Sequence, residues 1–239
     1  LISSQLDMDR MDYLKRDSFY SGVAEGNINS DRLIQMMNVQ DEQLVIEEKG
    51  IYSVEKFLVA RRLMYWQAYL HKTSVVAEII LTKILKRAKE LSEKGIQLES
   101  SKPLHYFLNN KVNFPDFNEK VLDTFAQLDD VDIMSAIKNW QFNADFVLSS
   151  LCKMIINRDL LKIQMSEDKP DKVRLQHLKD KFLQLHPIEA KDVDYFVFKG
   201  KLKNQAYNKN SGPISIVKKD KTIEDVVEAS DQLHLKALS

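Results

Sequence analysis

Residues 4–17 have the sequence Ser4-Gln5-Leu6-Asp7-Met8-Asp9-Arg10-Met11-Asp12-Tyr13-Leu14-Lys15-Arg16-Asp17. Leu and Met recur in it at helical spacing, which predicts an α-helix over this run. In such a helix Asp9, Tyr13 and Asp17 lie at i, i+4 and i+8 and share one face. That face combines carboxylates, a phenol and a nearby cation, the groups that a metal-assisted phosphate site needs.

The same run has a second interpretation, a solvated helix with charge pairs such as Asp12 with Arg16 at i, i+4. A metal ion that activates water needs several oxygen or imidazole ligands, and Asp9 supplies only one. The histidines show no paired metal-ligand spacing; they are His71, His105, His177, His186 and His234. The residues alone leave both interpretations open, and further ligands must come from elsewhere.

A second polar face is expected within residues 57–72. Its members recur at i, i+4, i+8 and i+11, and they are Arg61, Tyr65, Tyr69 and Lys72. Cations hold phosphates and phenol rings pack on a sugar or a base, so this face suits a nucleotide. The alternative is a core helix whose Arg and Lys side chains extend to solvent.

Two further basic patterns are less specific. Arg158 and Lys162 share a face at i, i+4, which is typical of a charged helix end. Residues 199–221 hold seven Lys and one Asp, which indicates a solvated loop or hairpin, with phosphate or nucleic-acid contact as the alternative. Tyr207 is the one aromatic residue of this stretch, so stacking of a nucleic-acid strand is not indicated.

The fold class follows from the small number of Gly and Pro residues, which interrupt helices and strands. The chain has only six Gly and five Pro, which favours long uninterrupted helices. Besides residues 4–17, the pattern predicts helices at 29–37, 53–94, 103–109, 116–126, 130–139, 143–156 and 171–185. Runs of β-branched or aromatic residues predict strands at 44–46, 195–198 and 214–217. We expect a mainly α-helical fold with a small antiparallel β element toward the C-terminus.

Composition excludes several classes of protein. The 239 residues carry no formal net charge, which argues against a protein whose main task is to neutralise a nucleic-acid backbone. The single Cys152 excludes an intramolecular disulfide, and we expect a buried thiol in a reducing, cytoplasmic compartment. Apolar runs stay well below the roughly 20 residues that span a bilayer, so no membrane partner is expected. P-loop, Rossmann, zinc-ribbon and serine-hydrolase motifs are missing from the sequence.

The Asp-rich run together with Arg61 and the stretch Tyr69-Leu70-His71-Lys72 resembles the HD-domain deoxynucleoside triphosphate triphosphohydrolases. The resemblance extends over residues 1–165 and implies an HD-domain-type helical bundle. It implies that water attacks the α-phosphorus of a dNTP, giving a deoxynucleoside and inorganic triphosphate. It further implies that residues 1–95 are the C-terminal part of the catalytic domain, 96–186 a helical subdomain and 187–239 a small α+β region.

The resemblance also implies roles for residues at the phosphate end of a site. Asp9 matches the last metal ligand of the family's H…HD…D set, and the divalent ion can be Mn, Mg, Fe, Zn or Ni. Arg10 matches a basic residue near the α-phosphate, and Asp9 and Arg10 are the implied catalytic residues. Arg61 matches an arginine that binds the triphosphate.

Three further residues match the sugar end of that site. Tyr13 matches a residue that lines the triphosphate and sugar pocket. Asp17 matches the carboxylate that accepts a hydrogen bond from the 3′-hydroxyl, and Tyr69 matches the ring that packs on the sugar and disfavours a 2′-hydroxyl. Leu70 stands where the mammalian member of the family has a polar residue, which leaves the details of sugar selection open.

A regulatory set is implied as well, because five basic residues match positions that contact an activator nucleotide between subunits of the mammalian enzyme. They are Arg32, Lys49, Lys72, Arg158 and Lys162. The implied partners are deoxynucleotides and further copies of the chain, in a dimeric or tetrameric homo-oligomer, and nucleic acid is not expected.

The chain departs from the family in having no adjacent His-Asp pair and no upstream His. Three of the four expected metal ligands are therefore missing from it. We expect the C-terminal portion of a longer enzyme, catalytically incomplete by itself. Two alternatives stay open: an HD phosphohydrolase that acts on another phosphate ester, and a non-catalytic scaffold that binds nucleotides.

Overall fold

The computed structural model describes residues 4–166, 168–169, 171–202, 207–208 and 212–231. The chain forms two compact units. The first contains the residues up to His71 and the described residues from Lys201 onward, and the second runs from Lys72 to Gly200. The domain boundaries expected after residues 95 and 186 both fall within the second unit, and the division of the chain by function stays a prediction.

Helices dominate the described residues. In chain order they are α1 (Met8–Ser21), α2 (Ser30–Gln35), α3 (Ile51–Met64), α4 (Lys72–Glu93), α5 (Lys102–Asn109), α6 (Glu119–Ala126), α7 (Asp130–Trp140), α8 (Phe146–Asn157), α9 (Lys172–Leu185) and α10 (Val226–Ala229). The strands are β1 (Met37–Gln40), β2 (Gln43–Glu47), β3 (Ser215–Val217) and β4 (Ile223–Asp225). The predicted fold class, mainly helical with a small sheet, is confirmed. Within the described ranges, no helix has the length and apolarity to cross a bilayer.

The four strands form one sheet in the order β1-β2-β3-β4, and all of them belong to the first unit. β1 and β2 form an antiparallel hairpin, and β3 and β4 form the expected C-terminal antiparallel pair. β2 and β3 run parallel, with Ile46 opposite Ile216. The C-terminal pair thus extends the hairpin of residues 37–47, a long-range pairing that the local sequence pattern does not show.

The Lys-rich stretch is only partly described, since Lys203 and Lys209 lie outside the described residues. Lys218, which follows β3, places its Nζ atom 2.8 Å from Glu224 Oε2 on β4. This ion pair agrees with the interpretation of the stretch as a solvated hairpin face.

The core of the first unit packs α1, α2 and α3 against one face of the sheet. Its buried members include Leu14, Leu33, Phe57, Met64 and Ile216. A turn at residues 24–26 lies so close to α1 and α3 that a Cβ atom on Gly26 would meet Met64 Sδ at 2.5 Å and Ser18 Cβ at 2.8 Å. Glycine at this position therefore allows α1 and α3 to pack together.

The core of the second unit is built by α4, α5, α7 and α8. Its buried members include Ile80, Ile84, Ile137, Trp140 and Leu148. Cys152 is fully buried among them, as expected, and burial raises the pKa of its thiol to about 12. The thiol is therefore a packing group at neutral pH.

The long helix predicted over residues 53–94 is interrupted. α3 ends at Met64, a π-helical turn follows over Tyr65–Tyr69, and α4 begins at Lys72. The Leu70 N–H donates to the Tyr65 carbonyl at 2.6 Å, which is the i→i+5 bond of a π-turn. Hydrophobic spacing of three and four residues continues through this break, so the sequence pattern does not reveal it.

The strand predicted at residues 195–198 is wrong. Ala190–Tyr195 form a 3-10 helix, and Phe196 stacks on Phe182 of α9 with ring centroids 4.7 Å apart. Tyr195 and Phe196 are buried in the helical core of the second unit. The aromatic run therefore packs on helices, and aromatic composition alone does not distinguish this from a strand.

Arg87 of α4 holds a buried ion-pair network in the second unit. Its guanidinium donates twice to Asp145, at 3.1 and 2.7 Å, and also to Asp192 at 3.1 Å and Glu90 at 3.3 Å. Asp145 is also the N-cap of α8 and accepts from the Leu148 N–H at 2.8 Å. Arg87 thus ties α4 to the start of α8 and to the 3-10 helix.

We expect Arg87→Met to destabilise the protein by about 3 kcal/mol, because it leaves the buried Asp192 and the half-buried Asp145 without their cation. Urea unfolding at pH 7 measures the change. Arg174→Met, at an exposed arginine of α9, is the matched control and should change the free energy of unfolding little. Equal stability of the two variants would show that the network does not stabilise the fold.

The same network predicts a pH dependence. Burial opposes ionisation of Asp145, but the Arg87 hydrogen bonds, the Leu148 N–H and the Arg87 charge together lower its pKa. The stabilisation is therefore present above the ordinary aspartate pKa of about 4 and is lost as the pH falls through the lower pKa of the folded state. Arg87→Met should flatten the fall in unfolding free energy between about pH 5 and pH 2, measured by urea titrations across that range; an unchanged slope would contradict this.

Candidate active site

The carboxylate of Asp7 determines where α1 begins. It is 1% exposed, and it accepts hydrogen bonds from the Ser4 N–H at 3.0 Å and the Arg10 N–H at 2.7 Å. The Arg10 guanidinium forms an ion pair with the same carboxylate. Burial opposes ionisation of Asp7, but these hydrogen bonds and the Arg10 charge outweigh it and lower the pKa. Asp7 is therefore a charged N-cap that binds both the backbone N–H and the guanidinium of Arg10.

Asp9 lies in the first turn of α1 and is exposed. Among the described residues, no group of three or more His, Cys, Asp or Glu side chains could hold a metal ion. Asp9 therefore offers one carboxylate ligand, and the described residues do not complete a metal site around it.

Further along α1, Asp17 meets the π-turn. The Tyr69 hydroxyl donates to Asp17 Oδ2 at 2.6 Å, joining residues 52 positions apart in the sequence. Burial, together with this hydrogen bond and the negative charge of Asp17, raises the pKa of Tyr69 far above its usual value. The phenol therefore keeps its proton and its bond to Asp17 at any physiological pH.

Two further tyrosine rings flank Tyr69. Tyr13 and Tyr65 both pack edge-on against Tyr69, with centroid distances of 6.0 and 5.1 Å and interplanar angles of 78°. The Arg61 guanidinium carbon lies 5.7 Å from the centroid of the Tyr65 ring. All five side chains are half-buried, so they form a partly open, phenol-lined surface with one carboxylate and one guanidinium.

The structure thus brings together four of the sequence-predicted site residues, namely Tyr13, Asp17, Arg61 and Tyr69. Tyr65 was placed on the same face but received no role from the resemblance. In the structure Tyr65 begins the π-turn that ends at Tyr69. The solvated-helix interpretation also holds locally, since exposed Asp12 and Arg16 form an i, i+4 ion pair.

The expected regulatory residues are all exposed; they are Arg32, Lys49, Lys72, Arg158 and Lys162. In the first unit, the Arg32 guanidinium donates to the Lys49 carbonyl at 3.4 Å, which places these two side by side. The other three belong to the second unit. The set as a whole stays a prediction.

A half-open surface with a guanidinium, a carboxylate and edge-packed phenols is suited to a phosphorylated sugar. Comparison with known proteins identifies one family and one solved structure that this chain resembles. Residues 28–102 match the family described as HD associated region. A phosphohydrolase from Bacteroides thetaiotaomicron shares the fold, with a TM-score of 0.87 and 48% identity over 100% of this chain and 60% of that one.

Two curated relatives are similar to parts of the chain. The chain is 40% identical to the uncharacterized protein YwfO of Bacillus subtilis over 163 residues, 68% of this chain and 36% of YwfO. It is 28% identical over 99 residues to the deoxynucleoside triphosphate triphosphohydrolase SAMHD1 homolog of Dictyostelium discoideum, 41% of this chain and 19% of that protein. The chain thus spans well under two thirds of these relatives. Together the matches show that the chain is similar to a family described as HD associated region and to a phosphohydrolase.

We expect Asp7→Ala to destabilise the protein by about 2 kcal/mol, because it removes the N-cap of α1 and the buried partner of Arg10. Asp7→Asn should cost less, since an amide oxygen still accepts the Arg10 N–H. Urea unfolding of both variants measures the difference. If both lose the same stability, the cap does not contribute separately from the charge.

Proposed function

We propose that the whole protein is a metal-dependent HD phosphohydrolase that cleaves dNTPs to a deoxynucleoside and inorganic triphosphate. The observation that carries this proposal is the Tyr69–Asp17 hydrogen bond within the cluster of half-buried tyrosines. It pairs a ring and a carboxylate that resemble the sugar-recognition residues of the dNTP triphosphohydrolases. The similarity to an HD-associated region and to a phosphohydrolase supports the hydrolytic chemistry, and the substrate is our proposal.

The proposed roles follow the arrangement of the site. Asp17 has a second carboxylate oxygen in addition to the Oδ2 that accepts from Tyr69, and this oxygen would accept the sugar 3′-hydroxyl. The Tyr69 ring would pack on the sugar at C2′, where a ribose hydroxyl would collide with it. Tyr13 would line the pocket between the sugar and the phosphates.

The cations would serve the triphosphate. Arg10 and Arg61 would neutralise the charge that develops as the α-phosphorus is attacked. Asp7 holds the Arg10 guanidinium in place before the substrate arrives, which lowers the cost of ordering it. Asp9 would be one ligand of the divalent metal; because the described residues do not complete that site, no step through the metal is derived.

The exposed basic residues would form the regulatory part. We propose that Arg32, Lys49, Lys72, Arg158 and Lys162 bind an activator deoxynucleotide between subunits of a homo-oligomer. Their exposure, and the side-by-side placement of Arg32 and Lys49, support a surface role.

A second candidate is an HD phosphohydrolase that acts on another phosphate ester. It is favoured by Leu70, an apolar residue directly after Tyr69 at the end of the π-turn. Without a polar side chain there, recognition of the sugar rests on Asp17 and Tyr69 alone.

The experiment that separates these functions is triphosphate release from the full-length protein with Mn²⁺ or Mg²⁺. Each dNTP is supplied singly and in mixtures, beside ribonucleotides and phosphomonoesters. We expect triphosphate from dNTPs. Release that requires a second nucleotide would support the regulatory set, and release of inorganic phosphate from a monoester would favour the second candidate. No release and no bound metal would favour a nucleotide-binding scaffold.

Asp9→Ala in the full-length protein should abolish metal loading and lower turnover at least about 100-fold, because a lost ligand costs both metal affinity and activity. Elemental analysis and triphosphate release measure the two effects. Asp12→Ala is the control on the same helix, since Asp12 pairs with exposed Arg16. Normal activity of Asp9→Ala would remove Asp9 from the site.

A further inference from the structure

Tyr65 belongs to the phenol cluster that surrounds Tyr69. It packs edge-on against Tyr69 at 5.1 Å, and Arg61 lies 5.7 Å from its ring centroid. Tyr65 is thus in contact with two residues of the proposed site.

Two kinds of contact hold the Tyr69 side chain, one at its hydroxyl and one at its ring. The hydrogen bond to Asp17 holds only the hydroxyl end of Tyr69. A phenol held at that end alone can still rotate about its long axis, which turns the face of the ring. Tyr13 and Tyr65 each meet Tyr69 at 78°, so the two rings restrict that rotation.

Burial and the neighbouring Tyr65 raise the pKa of Tyr13, against the opposing charges of Arg61 and Arg10, so the phenol stays protonated. The π-turn adds a backbone constraint, because the Tyr65 carbonyl accepts from the Leu70 N–H directly after Tyr69. The Tyr65 side chain therefore contacts the Tyr69 ring, and the Tyr65 backbone holds the residue that follows Tyr69.

We infer that Tyr65 is a positioning residue that sets the plane of the Tyr69 ring and thereby the discrimination between deoxyribose and ribose. The inference rests on the proposed function, in which Tyr69 packs on the sugar. A correctly oriented ring excludes a 2′-hydroxyl by steric contact. A Tyr69 ring that rotates freely can turn aside and admit the 2′-hydroxyl of a ribonucleotide. Loss of Tyr65 therefore acts on selectivity more than on the rate with the deoxy substrate.

The test compares kcat/KM for a dNTP and the matching ribonucleotide in the full-length protein. Tyr65→Leu removes the ring and should reduce the preference for the deoxynucleotide at least tenfold, mainly through better use of the ribonucleotide. Tyr65→Phe keeps the ring and removes the hydroxyl, so its preference should fall by less. Tyr52→Leu, at an exposed tyrosine of α3, is the control and should leave the preference unchanged.

A double-mutant cycle tests whether Tyr65 influences the nucleotide preference through Tyr13. If Tyr65 acts through the Tyr13 hydroxyl, Tyr65→Phe and Tyr13→Phe should be non-additive, and the double variant should lose no more preference than the larger single loss. Thermal unfolding of each variant checks that the fold is retained. Tyr65→Phe, which keeps the volume, supplies the comparison if Tyr65→Leu unfolds.

The outcomes separate the inference from the proposed function. A wild-type protein without preference for deoxynucleotides overturns the proposed function and the inference with it. A wild-type preference that Tyr65→Leu leaves within twofold overturns the inference alone. An equal loss of kcat/KM for both nucleotides also overturns it, because that result indicates a general structural role.

Discussion

The hydrogen bond from the Tyr69 hydroxyl to Asp17 is the interaction on which the candidate site depends. It joins α1 to the π-turn across 52 residues of sequence, at 2.6 Å. A bond to an ionised carboxylate is short and strong, but it forms only if both groups are already held close together. The buried core supplies that placement, because Leu14 of α1 and Met64 at the end of α3 pack in the same cluster. The site is therefore an extension of the packing of α1 on α3.

The two ends of α1 are held in different ways, and both serve the site. At its start, the buried Asp7 carboxylate caps the helix and pairs with Arg10. At its end, Gly22 adopts the left-handed conformation and donates to the Ser18 carbonyl, which terminates the helix just beyond Asp17. The second unit uses a buried charge differently, since Arg87 there joins three carboxylates of its own helices and serves stability.

The sequence predicts those parts of the molecule that local pattern determines. Helical spacing identifies α1 and the face that carries Tyr13 and Asp17, and the breakers place most of the helix ends within a few residues. It does not predict the β2–β3 pairing, because that contact joins Val45 to Ser215 and depends on the packed core. It also misassigns Tyr195 to a strand, because a buried aromatic run has the same composition in either structure.

The candidate site likewise combines residues that the sequence predicts with features that it does not predict. Arg61 and Tyr69 were predicted from their spacing and from the family resemblance, while the π-turn that joins Tyr65 to Tyr69 leaves no trace in hydrophobic periodicity. The cap formed by Asp7 was missed because an Asp inside an acidic run looks like one more exposed carboxylate. An Asp directly before the first residues of a helical pattern was the signal that could have found it.

The most direct measurement is a crystal structure of the full-length protein with a non-hydrolysable dNTP analogue. The account predicts that the 3′-oxygen lies about 3 Å from the Asp17 carboxylate, with C2′ against the ring of Tyr69. A nucleotide bound with its sugar away from both residues would contradict the assignment of this tyrosine cluster as the sugar end of the active site.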